Sequence, residues 1–445
     1  MNPQEPIRWV RRSISLRLFV LAFLSLLLLV PLSSVRDLVR QRQSLRSQAA
    51  ASISEGWGGA QTLLGPALVI QASCTTRDEN GNPTRSRPLA LRLPSTLRFE
   101  GRTRSEIRRR GIHEIPVYST HFSIDFTVEP PALAELDWGC AETRVEAASI
   151  VFALSDARGI DHISPLETPG GGREEWTAGT PLGGEWQTGV QAALPIAMLY
   201  PQPGSSSLAM RFEADLRGTD RLAVAPSGGS TELRLTSDWP DPSFDGMFLP
   251  SERRDTAAGY EAVWRVSELA RPIRSLWLDG GCSMRLAATA FGVSWYRPAD
   301  SYLKTERSLK YGFLFVVLTF LAFFLFELAG TRRAHPLQYG LVGGAICVFF
   351  LLLLSISERS SFGLAYLVGS AATAVQITLY GRALLDSGPR VAVLGGVMAT
   401  LYTALYLLVG LEETALLVGA VGLFVVIGIT MWWTRNVGRE PAPAA

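Results

Sequence analysis

Hydropathy along this chain is lopsided, and that constrains the fold more than any motif. One apolar run, Leu16–Leu32, stands alone near the N-terminus. A polar stretch of about 280 residues follows. From Gly312 to Trp433 the sequence is then almost continuously apolar, broken by short charged punctuation. The unbroken segments there run to about 18–21 residues, the length a helix needs to cross a hydrocarbon core. The pattern predicts an integral membrane protein with one large water-exposed domain between its first and second spans.

Six spans are expected: Leu16–Leu32, Gly312–Ala329, Leu337–Ser355, Phe362–Tyr380, Val391–Val409 and Thr414–Trp433. Short cytoplasmic loops collect Lys and Arg. Arg8, Arg11 and Arg12 place the N-terminal tail inside, with Arg17 at the edge of the span. The loops with Arg332, Arg333 and His335, with Arg382 and Arg390, and with Arg435 and Arg439 then also fall inside. Glu358 and Arg359, and Glu412 and Glu413, fall outside. The first span alone is ambiguous, because Arg36, Arg40, Arg42 and Arg46 follow it; the other five decide. Trp432 and Trp433 end the last span as an interfacial belt would. No A-x-A site follows Leu16–Leu32 at cleavage distance, so it reads as an uncleaved signal anchor. The resulting division is 1–15 cytoplasmic tail, 16–32 anchor, 33–311 periplasmic domain, 312–433 five-helix bundle and 434–445 cytoplasmic tail.

Arg36–Gln48 is polar and helix-compatible, a stalk leaving the membrane. Strand signals then dominate: Ala67–Ala72, Leu89–Leu93, Thr120–Val128, Ala147–Leu154, Leu208–Leu216, Thr231–Thr236, Tyr260–Val266 and Met284–Trp295, separated by Gly, Pro, Ser, Asp and Asn clusters. In Thr120–Val128, Phe122, Ile124, Phe126 and Val128 share one face and Ser123, Asp125 and Thr127 the other. No long amphipathic helix competes, so the domain reads as all-β, a sandwich or a pair of packed sheets. Ser164–Thr188, rich in Gly, Pro, Thr and Glu, reads as a long loop.

The net charge of +2 gives no electrostatic case for nucleic acid. Basic residues are nearly all Arg, with Lys only at Lys304 and Lys310, a pattern that a GC-rich genome explains. Cys74, Cys140 and Cys282 lie in the polar domain and Cys347 in a span, without metal spacing. Cys74–Cys140 is the first candidate for a periplasmic disulfide, against free buried thiols; the choice stays open.

Catalytic signals are thin. There is no G-x-S-x-G elbow. His113 and His121, and the Asp156, Asp161 and His162 group, could supply a metal site or an acid–base pair, but solvated turn residues are the commoner reading. Ser301-x-x-Lys304 has a nucleophile–base spacing without its partner motifs. Arg102, Arg104, Arg108, Arg109 and Arg110 could meet an anionic headgroup or polymer. A solvated hairpin end with Glu100, Glu106 and Glu114 as local partners is the preferred reading. Asp156 and Arg158 at a strand end suit an internal turn lock. Glu327 is the carboxylate inside a span; a helix-end ion pair with Arg332, Arg333 or His335 is favoured over a proton relay. Gly340-x-x-x-Gly344 suggests close helix packing. No catalytic, metal-binding or cofactor-binding residue set emerges.

Many segments together resemble the CreD family of bacterial inner-membrane proteins. They begin with Trp57, Gln61, Gly65-Pro66 and Leu68, then Arg110-Gly111-Ile112, Pro116-Val-Tyr118 and Ser155-Asp156-Ala-Arg158-Gly159. The most specific are Ser237-Asp-Trp239, Pro242-Ser-Phe244, Gly246, Phe248-Leu-Pro250 and Gly259-Tyr-Glu-Ala262-Val-Trp264. Gly292-Val293, Pro298, Asp300, Tyr302, Arg307 and Lys310-Tyr311-Gly312 follow, then Leu318-Thr-Phe320, Phe326-Glu327, His335-Pro336, Gln338-Tyr339, Leu341-Val-Gly343, Ser357-Glu358, Ala415-Leu-Leu417 and Thr434-Arg435. Tyr260 departs from a usual Phe, Glu413 from a usual Asp, and the tail lacks the family's aromatic ending. The resemblance implies a six-span inner-membrane protein with a large periplasmic domain. It also implies links to envelope integrity, β-lactam response and a two-component system, and it assigns no active site.

Two functions are therefore expected to compete. The first is a non-enzymatic envelope-integrity protein, whose β domain binds an envelope component or protein partner while its helices sit in the lipid bilayer. The second is a transporter or enzyme acting on lipid or a cell-wall precursor at the domain–membrane junction, with Glu327, Gln338, Gln376 and Arg382 around a water-filled cavity.

Overall fold

A computed structural model describes residues 14–77, 83–111, 113–140, 142–200, 207–270, 273–280, 285–295, 301–328, 334–382, 388–411 and 414–435. The chain divides into two compact units, one of residues 1–46 with 299–445 and one of residues 47–298. The second is shorter at both ends than the 33–311 read from sequence. Val35 and Val39 are buried in the helical core, and Ser301–Lys310 is a helix.

The 47–298 unit holds two sheets. One is ten-stranded and built around Gln61–Arg77, which pairs antiparallel with Glu142–Leu154 and parallel with Arg221–Val224. The other is nine-stranded, with the Thr96–Arg110/His113–Val128 hairpin at its centre, flanked by Ser230–Ser237 and Leu208–Thr219. Seven of the eight expected stretches lie within strands or match them to a residue. The eighth shrinks to Phe291–Ser294, and Met284 lies outside the described residues. Thr96–Arg110 was not foreseen as a strand, because charged residues fill its solvent face from Arg98 onward.

The sheets differ in what covers them. Their facing sides share one core, in which Leu68, Ile150 and Phe152 meet Phe99, Phe122 and Phe212; Phe152 and Phe212 stand edge to face, 5.3 Å between centroids. The other side of the ten-stranded sheet is also buried: Leu64, Val69 and Val151 lie in a second core with Leu182, Trp186 and Leu286. A strand buried on both faces reads as an unbroken apolar run, as Leu-Val-Ile and Ile-Val-Phe-Ala-Leu do here. The nine-stranded sheet keeps its outer side in solvent, so its strands alternate, and that side carries ion pairs such as Arg234–Glu261 and Arg265–Glu252.

Gly65-Pro66, a cis peptide, sits at a shift of register against Glu142–Leu154. Leu63 faces the shared core before it and Leu68 after it, so the extra residues swap which parity of the strand faces inward. Gly65 has φ +89°, and a Cβ there would come within 2.9 Å of the Val151 carbonyl. The expected loop at Ser164–Thr188 is instead pinned into both sheets. Leu166–Glu167 joins the nine-stranded sheet, Trp176–Ala178 the ten-stranded one, and Trp186 is fully buried. Cys74 and Cys140 form a disulfide, with Cα atoms 5.5 Å apart; Cys282 lies outside the described residues, and Cys347 is a buried free thiol.

Among the described residues five helices are long and apolar enough to cross a membrane: Ser15–Trp57, Pro336–Ser357, Phe362–Gly381, Gly388–Gly410 and Ala415–Thr434. The segment expected as the second span forms Gly312–Leu328, 17 residues, bent by 48° from the helix before it. Together the bent pair qualifies as a sixth span. Lys310 and Tyr311 lie at that bend. The predicted anchor and stalk are one helix of 43 residues, and Leu28, Leu32, Val35 and Val39 form its buried stripe. That stripe meets Phe349, Phe350 and Tyr402 in a single core. On the last helix only Ala415 is buried, while Leu416 and Phe424 are 85% and 78% exposed. An apolar surface of that extent suits lipid rather than water. Close packing falls at Gly343, where a Cβ would overlap Leu28; at Gly340 and Gly344 it would meet nothing within 4 Å.

Candidate functional site

The outer side of the nine-stranded sheet carries a groove of about 680 Å³. Arg102 and Arg104 come from Thr96–Arg110, Ser119 and His121 from the next strand, Asp215 and Arg217 from Leu208–Thr219, Asp161 from the short Ile160–Ile163 strand, and Thr236 and Asp238 from the other flank. Alternation puts Arg102 and Arg104 on one face. Arg102 lies opposite His121 on one side and Thr236 on the other, and Arg104 lies opposite Ser119. His121 Nδ1 and Asp215 Oδ1 are 2.7 Å apart, Arg217 is bonded to Asp161, and Asp238 accepts from the Ser105 N–H at 2.8 Å. Among the described residues Arg102 and Arg104 have no carboxylate partner.

Sequence reasoning therefore grouped the histidines and arginines differently from the fold. His121 and Asp161 share the groove, whereas His113 sits opposite Arg110 at the hairpin mouth. His162 lies opposite Asp215 on a strand. No described hydroxyl bonds the second nitrogen of His121, so a nucleophile–base pair is not assembled there. The basic run splits. Arg108 and Arg109 take Glu106 and Glu114 at 2.6 Å, as a solvated hairpin end would; Arg110 is exposed beside the Gly111 turn, where φ is +61°. Among the described residues no three His, Cys, Asp or Glu side chains gather to hold a metal ion.

The motif residues at the start of this unit form a knot. Asp156 accepts from the Gly59 N–H, from the Arg158 N–H and from the Arg158 guanidinium at 2.9–3.1 Å. Arg158 also donates to the Glu55 carbonyl at 3.2 Å, closing the end of the long helix. The guanidinium of Arg158 is the main reason the Asp156 carboxyl lies below its usual range, against the opposing effect of burial. Gln61, fully buried, donates to the Asp156 carbonyl at 2.9 Å, and a Cβ on Gly159 would overlap its amide. Trp57 donates to the Tyr118 carbonyl at 3.2 Å and lies under Arg108, 3.5 Å from its ring centroid, with Arg217 at 4.8 Å. This is the turn lock expected at Asp156–Arg158, enlarged by the helix end.

Trp239, Pro242, Phe244, Gly246, Pro250 and Trp264 belong to the packing nearby. Phe244 meets Tyr260 and Trp264 edge to face at 5.4 and 5.5 Å. Trp239 closes its own turn onto the Asp241 carbonyl at 3.0 Å. Gly246 has φ +103° where its strand passes Ala290. Pro242 and Pro250 are half-buried in the flanking turns.

In the helical unit Glu327, His335, Pro336, Gln338 and Tyr339 do come together. Arg17 Nη1 donates to Glu327 Oε1 at 2.6 Å, and the Tyr339 hydroxyl to Oε2 at 2.8 Å. The Glu327 side chain is 7% exposed. An ion pair does form here, but its partner is Arg17, which was not among those expected: His335 is bonded to the Leu337 N–H instead, and Arg332 and Arg333 lie outside the described residues. At the start of Pro336–Ser357 the His335 N–H donates to Gln338 Oε1 at 2.8 Å and the Leu337 N–H donates to His335 Nδ1 at 3.2 Å, a capping-box arrangement. A cavity of about 470 Å³ adjoins the pair, lined also by Leu16, Val20 and Phe324. Gln338 is occupied as a cap, Gln376 is exposed and Arg382 ends its helix, so the four-residue cavity expected of a transporter does not form. Lys304 lies 5.9 Å over the Phe362 ring; the Ser301 side chain lies outside what is described.

The family described as Inner membrane protein CreD matches residues 13–439. The chain belongs to the CreD family. It is 32% identical over 416 residues to Inner membrane protein CreD of Escherichia coli (strain K12), covering 93% of this chain and 90% of that protein. With its apolar helices, CreD membership makes the chain a multi-pass inner-membrane protein.

Proposed function

We propose that this CreD-family chain supports envelope integrity under stress as a non-enzymatic binding protein. In this reading it has six spans, both termini in the cytoplasm, an uncleaved first helix and its sheet unit in the periplasm. The sheet unit captures an envelope component or a protein partner, and the helical unit anchors it. The observation that carries the reading is the groove: a hollow on an open sheet face, lined by charged and hydroxyl side chains, whose acids are tied to basic or backbone groups. Such a lining offers ionic and hydrogen-bonding groups suited to recognition.

The test is photo-crosslinking in intact cells under wall stress, with the reactive residue at Ser119 or Thr236 and, as control, at Leu269, which is 94% exposed. Capture of one species from the groove positions but not from Leu269 is expected. Equal or no capture from both would remove the binding reading. Hydrolysis of cell wall, lipid or β-lactam by the purified chain, lost on one point change, would replace it with an enzyme.

A further inference from the structure

We propose that the groove is a binding site for a phosphate-bearing ligand, held by Arg102 and Arg104. The proposal rests on the reading of the sheet unit as a binding module and names the chemistry it binds. Ion pairing on the rest of this sheet face supplies the argument. Arg98 reaches Glu232, Arg211 reaches Asp125 and Glu213, Arg234 reaches Glu261, and Arg265 reaches Glu232 and Glu252. Arg102 and Arg104 break that pattern, as Arg110 at the hairpin mouth and Arg254 on the edge strand also do, but they are the two that line a hollow; the second hollow on this face, about 570 Å³, is lined by Arg98, Asp125, Arg211 and Glu232, where both arginines are paired.

Their surroundings hold acids that are already engaged. Asp161 is held by Arg217, Asp215 by His121, and Asp238 by a backbone N–H. Glu100, two residues before Arg102 on the same face, forms no ion pair with it among the described residues. What remains is two arginines whose Cα atoms stand about 7 Å apart along the strand, in a groove also lined by Ser119 and Thr236. Each guanidinium presents a planar fork of donors and accepts nothing. Forks at this spacing suit oxygens of one phosphate or of two linked ones, each bound bidentately. An anionic ligand is the one that would gain charge-assisted bonds from both forks.

The phosphate could belong to a soluble or polymeric phosphate ester or to a lipid headgroup, and calorimetry separates them. The full chain in neutral detergent is titrated with inorganic pyrophosphate, and separately with mixed micelles containing phosphatidylglycerol or phosphatidylcholine. Binding of pyrophosphate, or of phosphatidylglycerol but not phosphatidylcholine, is expected. Arg102→Ser combined with Arg104→Ser should weaken it at least tenfold. Arg98→Ser combined with Arg265→Ser, which removes the same charge from the same face, should leave it within twofold. Pyrophosphate alone points to the soluble or polymeric source, phosphatidylglycerol alone to the headgroup. Unchanged affinity in the first variant, equal loss in the second, or no binding of either probe by the wild type overturns the proposal. If neither probe binds while Ser119 still captures its partner in cells, the phosphate chemistry fails and the binding reading stands. If phosphate binds through these arginines while capture fails, the reverse holds.

Discussion

The two ends of the Ser15–Trp57 helix are held by different physics. Near its start, among apolar side chains, one guanidinium and one phenol satisfy one buried carboxylate: Arg17, Tyr339 and Glu327. At its far end, in the sheet unit, many weaker bonds share the work. Arg158 closes the Glu55 carbonyl, Asp156 takes the Gly59 N–H, Ser54 and Thr219 exchange a hydroxyl bond at 2.8 Å, and Trp57 lies against two guanidiniums. Burial sets the difference. Where water is excluded an ionic group needs its full complement, so each partner is indispensable. Where water can stand in for a lost partner, the hold is spread and each bond contributes little.

Removing the buried pair's cation should show the contrast at full size. Arg17→Gln strands the Glu327 carboxylate and should cost the full chain in detergent about 3–5 kcal/mol of unfolding free energy. Glu327→Gln keeps shape and an acceptor for Tyr339, and leaves Arg17, which is 28% exposed, able to reach water or headgroups. Its cost should be clearly smaller. Equal costs for the two would mean that the pair lies in a wet site and that the comparison is misdrawn.

At the other end, Asp156→Asn removes the charge that binds Gly59 and Arg158 and should cost about 2 kcal/mol. The effect should depend on pH in one direction only. The folded-state pKa of Asp156 is lowered, so its contribution is complete above the unfolded carboxylate value of about 4 and is lost as pH falls through the folded value. The wild type should therefore lose more stability than Asp156→Asn on acidification below about pH 4. Parallel unfolding curves for the two proteins down to pH 2 would show that the carboxylate does not brace the helix end. Trp57→Leu, which removes the ring beneath Arg108 and Arg217 and the bond to Tyr118, should cost only about 1–2 kcal/mol by chemical unfolding.

How much of this was legible in the sequence follows the same division. The alternation of Phe122, Ile124, Phe126 and Val128 announces a strand with one wet face, and Asp156-x-Arg158 announces a local lock, because in both the partners are near in sequence. Glu327 was visible as a buried charge, but Arg17 is 310 positions away and only the fold brings it there. Ser164–Thr188 read as a loop because its order comes from Leu182 and Trp186 reaching a distant core, not from its own periodicity. The five arginines near Gly111 looked alike. Which of them find glutamates depends on hairpin register, and register left Arg102 and Arg104 over a groove instead.

The smallest expected effect lies within the helical unit. Arg42, on the same helix as Arg17, pairs with Glu358 at 3.4 Å, and Tyr302 donates to Glu358 at 3.3 Å. Arg17 and Arg42 stand about 38 Å apart at the helical rise, somewhat more than the roughly 30 Å of a hydrocarbon core. If Arg17–Glu327 sits just inside that core, Arg42–Glu358 falls in the headgroup layer on the other side. Its side chains are 39% and 14% exposed, against 28% and 7% for the first pair. Arg42→Gln should therefore cost less than about 1 kcal/mol, and raising the salt concentration should shrink that further. The Arg17→Gln cost should not respond to salt. A salt-insensitive loss above about 2 kcal/mol at Arg42 would place that pair in the dry core instead, and the span of the first helix would then have to shift toward Trp57 by about two turns, carrying Arg17 out of the core.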